Sequence, residues 1–266
     1  MKKLLAVMMS LIMALSFFSF AFAGSAPASK TEAFIQSMEK GVGVKANMNM
    51  LNGELYIKKD RAAANVTIGP LNAKAILDNG KLSAYLGIFS VDLDQIPGIS
   101  TRELENIVNE VPKAFTKFDT GDYFKYLSVV ETKTENGKFV EKFGPNFNEI
   151  AKLIIEENPG LSLKDGQDIV EFCEYYASSN TKISSLLKAN AKFTYEDEKA
   201  VTLLGATIEF PNDKGVLEVI DVFNILKNEA GVKIDFITVD VPDKAFNKPF
   251  SILNITWIIK LIIALA

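Results

Sequence analysis

Three Ser-x-x-Lys spacings, Ser37/Lys40, Ser179/Lys182 and Ser185/Lys188, carry the hydrolytic pairing that needs no histidine, and this chain of 266 residues has none. Without imidazole, His-based triads, His general bases and His-ligated metals are closed. A serine can instead be activated by a desolvated lysine amine. Three occurrences in a chain rich in both residues show how readily composition makes the spacing, and the companion Ser-Asp-Asn and Lys-Thr-Gly segments are absent. Carboxylates gather at Asp92/Asp94 and Glu196-Asp197-Glu198. Neither set has the alternating oxygens and late Glu of a calcium loop, and sequence gives no facing pair across a cleft. Both read as solvated loops. Gly41-Val42-Gly43 lacks the Lys and Ser/Thr of a phosphate loop and reads as a helix stop. Cys173, the single cysteine, falls on an apolar helical face with Ile169, Phe172 and Tyr176, the place of an inert thiol. The expectation is no catalytic residue, no metal and no cofactor: a binding protein, not an enzyme.

The N-terminus gives an address. Lys2 and Lys3 precede an apolar stretch from Leu4 to Phe20, and Ala21-Phe22-Ala23 supplies the small residues a signal peptidase requires. Residues 1–23 read as a secretory signal cleaved near Ala23/Gly24, with a bacterial look and no lipoprotein Cys after it. Gly24–Lys30 reads as a flexible leader, and 31–266 as one domain. Cleavage removes two lysines, taking the net charge from −4 to −6. Such a chain is expected to be periplasmic or secreted, with no nucleic-acid partner, because that needs a basic footprint.

The elements that must position any site begin with a helix over Thr31–Lys40, Phe34 and Met38 on one face. Fifty residues of strict alternation follow: Val44, Ala46, Met48, Met50; Leu55, Ile57; Ala62, Ala64, Val66, Ile68; Leu71, Ala73, Ala75, Leu77; Leu82, Ala84, Leu86, Ile88. Asn52-Gly53, Lys59-Asp60, Gly69-Pro70 and Asn79-Gly80 mark turns about every ten residues, so the spacing predicts a five-stranded antiparallel meander with one apolar face.

Helices are expected next. Ser100-Thr101-Arg102-Glu103 is a capping box before Leu104, Ile107, Val108 and Val111. A hairpin joins Tyr123–Thr134 to Lys138–Phe143 through Asn136-Gly137. Asn146 with Glu149 caps a second helix, a third begins near Ser162–Asp165, and a fourth presents Ile183, Leu186 and Leu187. A hairpin over Lys192–Phe210, a helix over Val216–Glu229 and a strand over Val232–Val241 with a phase flip near Phe236 complete the domain. Ile252–Ala266 is nearly all apolar, too short for a membrane span and interrupted by Lys260. It reads as a long strand; the alternative is a tail that seeks a membrane or an envelope protein.

The expected class is α+β: a curved antiparallel sheet whose apolar face is covered by the helices of 100–190 and 215–229. That face carries small residues with adaptable methionines, so the candidate ligand-binding residues are Ala46, Met48, Met50, Ala64, Val66, Ala73, Ala75 and Ala84. The occupant would be an acyl chain or another apolar small molecule. The alternative is that bulky helix residues fill the space and the protein is a structural partner of the envelope, docking through 252–266.

A signal, a short helix and then a one-sided meander entered through Gly53-Glu54-Leu55-Tyr56-Ile57-Lys58-Lys59-Asp60-Arg61 and continued to Ile76-Leu77-Asp78-Asn79-Gly80-Lys81 resembles the LolA-like periplasmic lipoprotein carriers and related lipid-binding lipoproteins. The likeness is strongest over 31–90. It implies an incompletely closed barrel and a hydrophobic ligand, and it transfers no functional residue.

Overall fold

Alternation with tight turns folds into hairpins, and the computed structural model, which describes residues 29–48, 51–97, 102, 125–211, 216–224 and 233–265, contains them in sequence order. Strands β1 (Val42–Met48), β2 (Leu51–Lys58), β3 (Arg61–Ile68), β4 (Leu71–Asp78), β5 (Lys81–Leu86) and β6 (Phe89–Asp92) form an antiparallel meander. Asn79 (φ 48°) and Gly80 (φ 81°) supply the two left-handed residues that a two-residue hairpin turn requires. One turn differs from expectation. Asn52 and Gly53 pair with Asn47 and Ala46 across β1, so they are strand residues and the chain reverses before them.

The second half adds β7 (Leu127–Glu135), β8 (Lys138–Pro145), β9 (Asn190–Tyr195), β10 (Thr202–Pro211), β11 (Leu217–Asp221), β12 (Lys233–Thr238) and β13 (Leu253–Asn254). All thirteen belong to one sheet in the order β13-β6-β5-β4-β3-β2-β1-β12-β10-β9-β8-β7, with β11 beside β10. Among the described residues only β13 against β6 is parallel, and the sheet they form does not close into a barrel. The phase flip in β12 has a simple cause. Lys45 pairs with Phe236 and Ala46 with Ile234, leaving Asp235 as a bulge, and the extra residue puts both Ile234 and Ile237 into the same core.

One apolar face runs across the sheet but changes character along it. The β8–β9 half is aromatic: Phe139, Phe143, Phe193 and Tyr195 are buried there. Helix α1 (Lys30–Ser37), continued by a 3-10 turn to Lys40, lies on that half, with the Phe34 ring edge-on to Tyr195 at 5.5 Å and Ile35 and Met38 buried beside it. The β3–β5 half carries alanines.

Helices α2 (Phe147–Glu157), α3 (Ile169–Ala177) and α4 (Thr181–Leu186) differ from the expected role as a cover. Ile150, Ile154, Phe172, Cys173, Ile183 and Leu186 bury one another in a separate core with Tyr126. Asn146 caps α2 as its spacing with Glu149 predicts, whereas α3 starts late, at the Asp168 cap, because that carboxylate accepts from the amides of Val170 and Glu171. The first expected helix, 104–111, lies outside the described residues.

Two further expectations are corrected. Residues 217–221 form strand β11, not helix: Val219 and Ile220 favour the extended form, and pairing with Glu209 and Ile208 of β10 overrides the polar spacing of Glu218, Asp221 and Asn224. Ile252–Ala266 is not a long strand. Only Leu253 and Asn254 pair with β6; helix α5 (Thr256–Leu265) follows. At a period of two Asn254, Thr256 and Lys260 fall on one side, which favours a strand, but a run with so few polar residues satisfies a period of 3.6 as well. Asn254 decides it: its side chain accepts from the Thr256 amide at 3.0 Å and starts the helix.

Between β12 and β13 the chain straps the polar face. Val241, Ala245 and Phe246 pack on Tyr56 and Ala63, the Arg61 guanidinium sits 4.3 Å over the Phe246 ring, and Lys74 donates to the Asn247 carbonyl. Gly43 permits this layer, since a Cβ there would lie 2.6 Å from the Tyr56 ring.

Candidate functional site

Register turns the alternating strands into transverse rows. Ala46, Gly53, Val66, Ala73, Leu86 and Phe89 are successive partners across six strands, and Val44, Leu55, Ala64, Ala75, Ala84 and Val91 form the next row. A third row, Val42, Ile57, Ala62, Leu77 and Leu82, is bulkier and merges with the main core below α1. Small residues in two rows, with bulky ones at one end, leave a trough. It has a volume of about 430 Å³ and an almost wholly apolar lining, bordered at the sheet edge by Ile255.

Six of the eight candidate residues line it: Ala46, Ala64, Val66, Ala73, Ala75 and Ala84. Met48 ends β1 opposite Leu51, and its side chain, like all of Met50, lies outside the described residues. Gly53, Leu55, Leu86, Phe89, Val91 and Ile255 also line the trough and were not singled out from sequence. The first five share the phase of the alanines, so the alternation itself could have found them. Ile255 could not be found that way, because it arrives from 160 residues along the chain through the β13–β6 pairing.

The polar groups that the sequence offers for chemistry are engaged in structure. Asp92 accepts from the Ser83 hydroxyl (3.0 Å) and the Asn254 amide (2.8 Å), and Asp94 accepts from the Leu82 backbone. Asp197 holds the β9–β10 turn by accepting from the Lys199 amide. Ser37 donates to the Ala33 carbonyl, Ser179 to that of Tyr176, and Lys182 pairs with Glu157 at 2.6 Å, so these serines and lysines are committed elsewhere. Among the described residues no group of three His, Cys, Asp or Glu side chains is placed to hold a metal ion.

Burial leaves Cys173 with no exposed surface and pushes its thiol up to about 11. At pH 8 the native protein should therefore resist thiol-disulfide reagents, with full reaction only after denaturation. Stopped labelling with Ellman's reagent checks this; rapid native reaction would show an accessible thiolate.

No helix among the described residues is long and apolar enough to cross a membrane. The trough is an open, almost wholly apolar hollow on the sheet face; Glu54, Asn65 and Lys74 border it from strand positions that alternate with the apolar ones. No family model matches the chain, and no curated protein matches it.

Proposed function

We propose that this protein is a non-enzymatic, extracytoplasmic carrier or sensor that holds an acyl chain, or an apolar molecule of similar width, in the trough on β1–β6. The observation that carries the reading is the two-row lining, small at Ala46, Gly53, Ala64, Val66, Ala73, Ala75 and Ala84, around about 430 Å³ of space, within the volume range of small-molecule sites. A filled core would have large side chains there, as it does on the aromatic half of the same face. Binding would draw on about 0.8 kcal/mol for each methylene removed from water. The unclosed antiparallel sheet with α1 on its apolar face is compatible with the half-barrel implied by the LolA-like resemblance. Removal of residues 1–23 as a secretory signal would deliver the chain to the compartment where such carriers work.

Native mass spectrometry of protein purified under mild conditions is expected to show a fraction carrying lipid-sized adducts that organic extraction removes. Protein purified ligand-free should take up a dansyl-labelled fatty acid with enhanced emission. If adducts are absent and the probe is not taken up, the carrier reading is wrong.

A further inference from the structure

Exposed apolar side chains are concentrated at one edge of this molecule. Leu86, Ile88 and Phe89 lie at the β5–β6 turn, Phe250, Ile252 and Leu253 arrive beside them, and Trp257, Leu261, Ile262, Ile263 and Leu265 project from α5. The cluster is built, not loose. Ile252 donates its amide to the Ile88 carbonyl at 2.9 Å, Ile255 to that of Ser90, and Thr256 accepts the Asp92 amide through its hydroxyl at 2.8 Å. Lys260 reaches Gln95 at 3.3 Å. The same edge meets the trough, since Leu86, Phe89 and Ile255 line it.

We propose that this edge is a lipid-docking surface, with α5 seated in one leaflet of a bilayer. The distribution of the exposed residues separates a lipid phase from a protein partner. At 100° per residue, Trp257, Leu261, Leu265, Ile262 and Ile263 spread over about two-thirds of the helix circumference. A partner groove or a second copy covers a stripe, whereas a lipid phase solvates every side. Ten residues rise about 15 Å, the depth of one leaflet's hydrocarbon. Charge points the same way. From Lys244 to Ala266 the chain carries three lysines and no acidic residue, within a protein of net charge −4. The carboxylates of the adjoining β6 segment, Asp92 and Asp94, are held by Ser83, Asn254 and the Leu82 amide. Trp257 at the first turn and Lys260 one turn later are the residue types that favour the headgroup boundary. Docking does not require the trough to be occupied, but it would bring the trough's apolar rim against the leaflet.

Trp257 is the only tryptophan of the full chain, so its emission reports this edge alone; the apolar N-terminal stretch holds none. Vesicles of phosphatidylcholine with phosphatidylglycerol are expected to shift Trp257 emission to shorter wavelength, and brominated acyl chains in those vesicles to quench it. The double variant L261E/I262E alters two exposed side chains, so its melting temperature should be unchanged while vesicle affinity falls about a hundredfold. Absence of shift and quenching in the unmodified chain overturns the proposal, as does quenching that L261E/I262E leaves intact. A blue shift that depends on protein concentration without vesicles, with a dimer in sedimentation, also overturns it in favour of a second copy. Failure of fatty-acid uptake with Trp257 quenching retained would reject the carrier and leave the docking surface standing.

Discussion

A75F is expected to abolish fatty-acid uptake while leaving the fold intact. Ala75 lies mid-row between Ala64 and Ala84, half-buried, with the trough in front of it. A phenylalanine side chain there has open space to enter, so it escapes the strain that overpacking imposes on a filled core. The melting temperature should stay within a few degrees of the parent. The ring would displace about five methylenes of any acyl chain lying along the rows, at about 0.8 kcal/mol each, or roughly a thousandfold in affinity. A84F, on the neighbouring strand, should act similarly. Parallel titrations of parent and variants with a dansyl-labelled fatty acid, each paired with a thermal melt, read the result. Unchanged affinity in both variants would mean that the probe binds elsewhere, and the trough would lose its assigned role.

The trough was legible because a strand's side-chain period is two, and register in a tight-turned meander is fixed by its turns. Once Lys59-Asp60, Gly69-Pro70 and Asn79-Gly80 are placed, Ala64, Ala75 and Ala84 must line up across neighbouring strands. Local sequence therefore contained most of the lining. What it did not contain was long-range placement. Nothing near Ile255 says that it will reach β6, and nothing in the stripes of Phe147–Ile155 or Ile169–Tyr176 says that those helices pack on each other and not on the sheet. An amphipathic stripe specifies that a face is buried, not against what. The misread at 217–221 is of the same kind, with a weak helical spacing overridden by an available strand edge on β10.

Helix α1 also explains why, among the described residues, the trough lies on the alanine half of the sheet face and not on the aromatic half. The aromatic half of the face and α1 fill each other; the alanine half has no such partner among the described residues. What holds α1 in that position was not visible from sequence, although one residue signals it. Glu141 shares the phase of Phe139 and Phe143 on β8, a carboxylate on the apolar side of a strand, and it is only 2% exposed. A charge so placed must be satisfied.

E141A is expected to be strongly destabilising, although it removes a polar side chain and not a core hydrophobe. The Glu141 carboxylate accepts from the backbone amides of Thr31 (2.8 Å) and Lys30 (3.2 Å) and from the Thr31 hydroxyl. Those two amides belong to the first turn of α1, where helical N–H groups have no intrahelical partner, and Ser29 Oγ accepts from the third, that of Glu32, at 3.0 Å. The carboxylate thus completes the helix start and meets the positive end of the helix dipole. Tyr195 donates its hydroxyl to Thr31 Oγ1 at 2.9 Å, and burial pushes that phenol far above its ordinary range, so it stays a donor. Alanine would leave two buried donors, the Thr31 amide and hydroxyl, and the part-buried Lys30 amide without their partner, at about 1–3 kcal/mol for each buried one, partly offset because no carboxylate then needs desolvating. A net loss of about 3 kcal/mol follows, or about 6–12 °C in melting temperature for a domain of this size. E141Q, which keeps one acceptor oxygen but turns an amide donor toward donors, should lose somewhat less. T31V removes only the hydroxyl, and E141A/T31V should fall short of the sum of the single changes because they share one network. Thermal melts by circular dichroism measure all four, and an E141A melt within two degrees of the parent would mean that the carboxylate does not anchor α1.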